Sequence, residues 1–550
     1  MLLRHDEGIT KIVGGMQLST LIKDATVIDG TGKERFLASV YLVEDKIERI
    51  IRNQEETDKY LKLADKVIDA KGLVLAPGFI DTHSHSDLKV LTDPLLLPKL
   101  KQGITTEVLG QDGISMAPLP LEFIGPWKKN LAGLDGEDET IDWTYQDCAT
   151  YLARIKEAKP ALNEAYLLPH GNVRMEAMGL DDRTPTKEEI ETMCEITRRE
   201  MEAGCIGLSS GLIYMPCAYS ATEEIISMCK VVKEYDGVFV VHQRSEADDI
   251  LSSMDEIIRI GKESGVRIHF SHFKVCGKPN WDKLDGMLAK LDEAKEAGIR
   301  VSFDQYPYIA GSTMLGVILP PWVHDGGTDC LVERLQSKEL REKMKEDIEH
   351  RIDGWDNFIQ FAGTEGIFIT SVVTQKNQDV VGLSLDELGK KRGKSALDAT
   401  FDLLLEEKNA VGMVDFYGTE DHVKRIMKRK EMNLCTDGLL SGKPHPRVYG
   451  SFPRMLGKYV REENVMSLEE AVRKMTGKAA ESFSIKDRGL IKEGYFADIT
   501  IFDPNTVLDQ GTFTDPEAFP IGIEYVFVNG QLEVEKGSET RVRAGLVLKR

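Results

Sequence analysis

Two histidines flank one serine in Thr82-His83-Ser84-His85. On an extended strand, residues two apart point to the same side, so both imidazoles can aim at one point. Imidazole is the commonest metal ligand. The apolar run Val74-Leu75-Ala76 enters this stretch, and Pro77 and Gly78 bend it. Two more strand-like runs close on histidine: Gly237-Val238-Phe239-Val240-Val241-His242 and Arg267-Ile268-His269-Phe270-Ser271-His272. A lone strand histidine is ordinarily structural. His242 and His272 on neighbouring strands, beside His83 and His85, fit a zinc-type cluster better. His269, three residues from His272 on the same strand, faces the other way and reads as structural.

Asp437 sits in Cys435-Thr436-Asp437-Gly438, at the end of the last strand-like run. A carboxylate there can hold a hydrolytic water, take its proton and pass it to a leaving nitrogen. Asp-Gly is also an ordinary turn pair, and it is the company of the other strand ends that favours catalysis. Asp112, in Gln111-Asp112-Gly113, is the free carboxylate at the second strand tip. For it, ligand and turn residue are about equally consistent with the sequence.

These residues need a scaffold that brings strand ends together. Eight apolar runs end near His85, Asp112, His170, Ser210, His242, His272, Tyr308 and Asp437. Amphipathic, charged runs such as Thr186 to Ala203, Ala247 to Ser264 and Asp282 to Ala297 read as the helices between them. The expectation is an α/β fold with a (β/α)8 TIM-type barrel over residues 75–484, its site at the C-terminal strand ends. After Tyr308, Pro320-Pro321-Trp322 and a charged helical stretch from Val332 to Arg351 interrupt the alternation, which suggests a lid insertion at 313–370. Residues 16–74 and 485–550 are rich in short strands, with an Asn529-Gly530 hairpin signal. Neither end can bury a core alone, so a small β-sandwich built from both is expected. Residues 1–15 show no such pattern and read as a disordered extension.

With 550 residues, 41% hydrophobic and 29% charged, the chain reads as globular. A formal net charge of −21 argues against nucleic acid or an anionic membrane as the main partner, but not against a small anion in a locally cationic pocket. The 8 cysteines are scattered without a C-x-x-C pair, and no signal peptide is evident, which favours the reducing cytoplasm. No stretch approaches the ~20 apolar residues of a membrane span.

The chain resembles the N-acyl-D-amino-acid deacylase (D-aminoacylase) branch of the metal-dependent amidohydrolases from about Leu18 onward. The stretches that carry the resemblance are Pro77 to Asp87, Gly211-Leu212-Ile213-Tyr214, Val241-His242-Gln243-Arg244, Ser271-His272-Phe273-Lys274, Tyr306 to Ser312, His445-Pro446-Arg447 and Arg488 to Asp498. The resemblance implies that His242 and His272 hold the tighter zinc and that His83 and His85 serve a second metal position. It implies Asp437 as acid/base, Lys274, Tyr306, Ser312 and Arg447 on the substrate carboxylate, and Tyr214 near the scissile carbonyl. One departure stands out. The branch has a cysteine in an Asn-Cys-Gly turn where this chain has Gln111-Asp112-Gly113. Carboxylate is a harder ligand than thiolate, so manganese, cobalt or iron become alternatives to zinc.

The resulting expectation is metal-dependent hydrolysis of linear N-acyl-D-amino acids, small substrates that carry a carboxylate. The alternative is a cyclic-amide hydrolase of the dihydroorotase or hydantoinase kind. Some barrel hydrolases bridge two metals with a carboxylated lysine on the fourth strand, and Gly204-Cys205-Ile206-Gly207-Leu208-Ser209-Ser210-Gly211 has none, which counts against that alternative. A metal-free structural protein would have lost ligands that are all present here.

Overall fold

The computed structural model describes residues 19–550 except 351 and 353. The extension expected at 1–15 lies outside the described residues.

Strands Phe79–Asp81, Ile104–Leu109 and Asn163–Tyr166 form one parallel sheet. Leu168–Pro169, Gly207–Gly211, Val238–His242, Arg267–Phe270, Val301–Gln305 and Met432–Leu434 form a second, also parallel. Almost every residue in them is buried, the signature of parallel strands covered on both faces. The two sheets touch at both edges. Leu167, between Tyr166 and Leu168, donates its N–H to Leu109 O at 3.0 Å. Asp437 donates to His83 O at 2.9 Å, and His85 to Gly438 O at 3.3 Å. The eight strand ends anticipated from sequence fall where expected, except that the seventh strand stops at Gln305, ahead of Tyr306-Pro307-Tyr308.

The intervening helices start and stop where local chemistry dictates. Helix Lys187–Ala203 opens with a capping box, the Thr186 hydroxyl accepting from Glu189 N–H while the Glu189 carboxylate accepts from Thr186 N–H. Helix Ile250–Ser264 ends on Gly265, whose φ of 71° closes the last turn. The charged stretch that begins at Val332 is helical over its described residues. It divides into Thr328–Gln336 and Lys338–Glu349, because the Ser337 hydroxyl accepts from Leu340 N–H and starts a new helix.

Between the seventh and eighth parallel strands, an insertion builds an antiparallel sheet from Ala310–Met314, Ile367–Val372 and Val411–Phe416, with Val411–Phe416 in the middle. The span 313–370 covers part of it. Among the described residues, strands from both terminal regions meet in a nine-stranded sheet, where Val74–Pro77 pairs antiparallel with Ile499–Phe502. Ile22, Val27, Val40, Leu75, Ile499 and Phe527 share one apolar core beneath it. Asn529 and Gly530, at φ 48° and 74°, make the tight turn between Ile523–Val528 and Gln531–Glu535.

Candidate metal and substrate site

His83 and His85 leave the first parallel strand with their Nε2 atoms 3.3 Å apart. Asp112 Oδ2 lies 3.7 Å from His83 Nε2 and 3.5 Å from His85 Nε2. Asp437 Oδ1 lies 3.6 and 3.3 Å from the same two atoms. His242 Nδ1 is 2.9 Å from His272 Nε2, which is 3.8 Å from Asp112 Oδ1. Three overlapping groups, His83 with His272 and Asp437, His83 with His85 and Asp112, and Asp112 with His242 and His272, each keep their ligand atoms within 4.8 Å of one another. The fold thus brings together all six residues singled out as ligands or base, and Asp112 stands between the two histidine pairs.

The backbone is bent to do this. Asp112, His272 and Asp437 have φ of 55°, 34° and 47°. A non-glycine residue in the left-handed region costs of order 1–3 kcal/mol and persists only where its surroundings hold it. Part of that hold is Asp304, which accepts from His272 N–H at 2.5 Å while its other oxygen meets His269 Nε2 at 2.9 Å. His269 is therefore structural, as expected, and acts through Asp304. Another part is the buried Lys99. Its Nζ contacts Asp81 Oδ2 at 2.6 Å, Ser84 Oγ at 2.7 Å and Thr436 Oγ1 at 2.7 Å. Ser84 lies between the two histidines and Thr436 precedes Asp437, so one ammonium ties the first strand end to the last.

The cluster suits a divalent cation. Asp112 Oδ1 and His83 Nδ1 are buried without a hydrogen-bond partner, although buried polar atoms are ordinarily paired. Imidazoles with carboxylates match the ligand preferences of zinc and its neighbours. Burial pushes His242 down to about 4, so its ring is neutral, the form that ligates metals. Burial also works against charge on His85, yet hydrogen bonding to Asp112 and Asp437 outweighs it and raises His85 to about 10. The centre favours positive charge.

The residues expected to grip the substrate line the same cavity as the cluster. Lys274 Nζ lies 2.6 Å from Glu246 Oε2 and 2.8 Å from His272 Nδ1. Glu246 Oε1 is itself 3.1 Å from His272 Nδ1. Burial would favour the neutral acid, but Lys274, with His242 and His272, holds Glu246 down to about 2. The Arg447 guanidinium sits 4.5 Å over the Tyr306 ring and donates to Ser312 O at 3.0 Å. The Tyr306 and Tyr417 hydroxyls are hydrogen-bonded to each other. Tyr214 OH is 2.8 Å from Thr313 Oγ1. Ser312 donates its hydroxyl to Met413 O at 2.8 Å, so it is the Ser312 carbonyl that Arg447 engages. The cavity encloses about 30 Å³. A neighbouring one of about 420 Å³ shares Tyr214, Asp356 and Phe358 with it. A wider cleft of about 950 Å³, lined by Arg267, Val301 and Glu431 at the opposite end of the strands, contains none of these residues.

Residues 66–314 and 412–533 match the pattern of the amidohydrolase family. The chain is a member of that family. This amidohydrolase is 34% identical over 533 residues to the D-aminoacylase of Alcaligenes xylosoxydans xylosoxydans, covering 96% of its own length and 97% of the relative's. It is 33% identical to the N-acyl-D-glutamate deacylase of the same organism, over 94% of its own length and 93% of the relative's. Among solved structures, N-acyl-D-glutamate deacylase from Bordetella bronchiseptica superposes with a TM-score of 0.82 at 31% identity, covering 97% of this chain and 100% of that one. That crystal holds zinc and a phosphonate inhibitor described as a mimic of the reaction's tetrahedral intermediate.

Proposed function

We propose that this amidohydrolase cleaves the amide bond of N-acyl-D-amino acids, releasing a carboxylate and a D-amino acid. The observation that carries the reading is the single cavity in which Lys274, Tyr306 and Arg447 face the His–Asp cluster, an anion grip beside a hydrolytic centre. The deacylase relatives, similar over nearly the whole chain, support the substrate class.

His83, His85, Asp112, His242 and His272 are the residues that would hold one or two divalent ions. Zinc fits this donor set best, with manganese, cobalt or iron admitted by the Asp112 carboxylate. When bound, such an ion supplies Lewis acidity at a carbonyl and lowers the pKa of water from ~15.7 toward ~7. The side chains do the rest. Lys274, Tyr306 and Arg447 fix the substrate carboxylate, which cations in a dry pocket bind strongly, and the Ser312 carbonyl holds Arg447 in place. Asp437 takes the proton of the attacking water and returns it to the leaving nitrogen. Tyr214, at the cavity wall, donates its hydroxyl to the developing oxyanion.

The scaffold reading follows the same residues. The bonds from Leu167 to Leu109 and from Asp437 to His83 support a closed eight-stranded barrel over residues 75–484. The terminal strands at 16–74 and 485–550 then make up the small β-sandwich. Phe358 and Phe361, within the 313–370 lid, line the cavity. The cavity is narrow beside the roughly 300–1,000 Å³ of small-molecule pockets, and movement of the lid segment would widen it for substrate. The eight free cysteines agree with a cytoplasmic setting.

A panel of N-acetyl-, N-formyl- and N-succinyl-amino acids of both configurations, with cyclic amides, assayed with several divalent metals, tests the function. The expected result is D-selective hydrolysis of the linear amides. Turnover confined to cyclic amides would favour the hydantoinase-like alternative, against which strand Gly207–Gly211, with no lysine, already argues.

A further inference from the structure

Among the carboxylates of the cavity wall that the hydrolytic chemistry does not use, Asp415 stands apart. Asp415 lies on strand Val411–Phe416, opposite Gly311 of Ala310–Met314. It is 2% exposed, its Oδ2 has no hydrogen-bond partner, and among the described residues no lysine or arginine forms an ion pair with it. A Cβ placed on Gly311 would meet Asp415 Oδ1 at 3.0 Å and Tyr306 OH at 3.4 Å. The Asp415 carboxylate and the Tyr306 hydroxyl thus both border the bare backbone of Gly311.

The other carboxylates of the cavity have partners. Lys274 has Glu246 at 2.6 Å, and Arg447 has Asp437 at 2.9 Å. Asp356 accepts from Ser245 Oγ and from Glu246 N–H, both at 2.6 Å. Asp415 alone is left facing the space that substrate must fill. An unpaired buried carboxylate is costly, and such groups are retained where a partner meets them. Burial raises Asp415 to about 7, with Lys274 and Arg447 pulling the other way, so a modest influence returns it to its ionised form.

We propose that Asp415 is the recognition site for a cationic side chain, so that the favoured substrates are N-acyl derivatives of D-lysine and D-arginine. This rests on the reading of the site as an N-acyl-D-amino-acid hydrolase. In such a substrate the side chain leaves the carbon that bears the carboxylate. A carboxylate fixed at Tyr306 and Arg447 places that carbon next to Asp415. Tyr417, Phe358 and Phe361 line the same cavity and offer apolar surface to the aliphatic stem. A neutral side chain leaves Asp415 unpaired, and an acidic one repels it.

N-acetyl-D-lysine and N-acetyl-D-norleucine have the same carbon chain and differ by the ammonium. The metal-loaded wild-type enzyme should show kcat/KM at least about tenfold higher for the lysine derivative, with N-acetyl-D-glutamate lowest. Asp415→Asn should reduce the lysine-to-norleucine ratio by about tenfold or more. The ratio is the readout, so a general loss of rate does not imitate the effect. If that variant fails to fold, competitive inhibition of the wild type by D-lysine against D-norleucine makes the same comparison, with D-lysine expected to bind about tenfold tighter. A wild-type enzyme that treats the two chains alike, or a ratio that survives Asp415→Asn, overturns the assignment. Hydrolysis of neutral N-acyl-D-amino acids without preference for lysine removes only the role of Asp415. No hydrolysis of any linear N-acyl-D-amino acid removes the function and this assignment together.

Discussion

Arg447 holds Asp437. Its Nη1 lies 2.9 Å from Asp437 Oδ2, and both side chains are buried. Burial alone would favour the neutral acid, but the guanidinium, with His83, His85 and His272 nearby, keeps Asp437 well below the usual carboxylate range. Asp437 is thereby held in its ionised form, the form a proton acceptor needs.

Arg447 then serves two anions, Asp437 and the substrate carboxylate. Arg447→Met should lower kcat/KM by roughly 10²-fold or more, since removing one partner of a buried pair strands the other. Arg447→Lys keeps the charge but loses the planar fork that reaches both Asp437 and Ser312 O, and should fall between. Steady-state kinetics at matched metal content make the comparison. An unchanged KM in Arg447→Met would leave the carboxylate grip to Lys274 and Tyr306.

Asp112 touches all three groups of candidate ligands through its neighbours and belongs to two of them. Asp112→Ala should lower bound metal and activity together, while Asp112→Cys, offering a softer ligand, should shift selectivity toward zinc. Elemental analysis after loading with equimolar zinc, manganese and cobalt reads the result. Wild-type metal content in Asp112→Ala would show that the histidines and Asp437 suffice.

Away from the site, Glu533 weakens the terminal sheet. It is fully buried in strand Gln531–Glu535, with one oxygen accepting from Ala544 N–H at 2.7 Å and the other unpaired. Burial raises it to about 8. The fold favours the protonated acid, so its contribution is fully present below the ordinary glutamate pKa of ~4.3 and is lost as pH rises toward 8. Glu533→Gln should raise stability at pH 8 by about 1–3 kcal/mol and have little effect at pH 4.5. Chemical denaturation at the two pH values tests it, and an equal gain at both would mean that the charge is not the cause.

Why some residues were legible in the sequence and others were not follows from what each one contacts. His83, His85, His242, His272 and Asp437 end strands, and the spacing of strands along the chain already brings such ends to one place. Asp112 was half legible, because an Asp-Gly turn looks the same whether or not it ligates. Glu246 was missed, although it links His242, His272 and Lys274. It lies in the loop after a strand, where a charged residue usually means solvent; its position four residues beyond His242 was the available signal. Lys99 and Asp304 could not be read, because their importance lies in contacts between strands, Lys99 with Ser84 and Thr436 and Asp304 with His269 and His272. The charged stretch after Val332 is helical as expected, but its charge pattern did not show the break at Ser337, where a side-chain cap starts a second helix.

Asp437 also offers the sharpest test of the chemistry. It leaves the last parallel strand in a left-handed turn, φ 47°, with Oδ1 at 3.3 Å from His85 Nε2 and Oδ2 on Arg447. Asp437→Asn keeps the shape of that side chain and removes the proton acceptor. The amide can still meet Arg447 through its oxygen, so the cavity should keep its form and the histidines their metal. Turnover should fall roughly 10²–10⁴-fold, the span associated with a positioned acid or base, while substrate affinity changes little. Crystals of the metal-loaded variant soaked with substrate should then hold it intact, its carboxylate on Lys274, Tyr306 and Arg447. Normal turnover by Asp437→Asn with full metal content would sink the assignment. The next proton carrier to examine would be Glu246, a carboxylate in contact with His242 and His272.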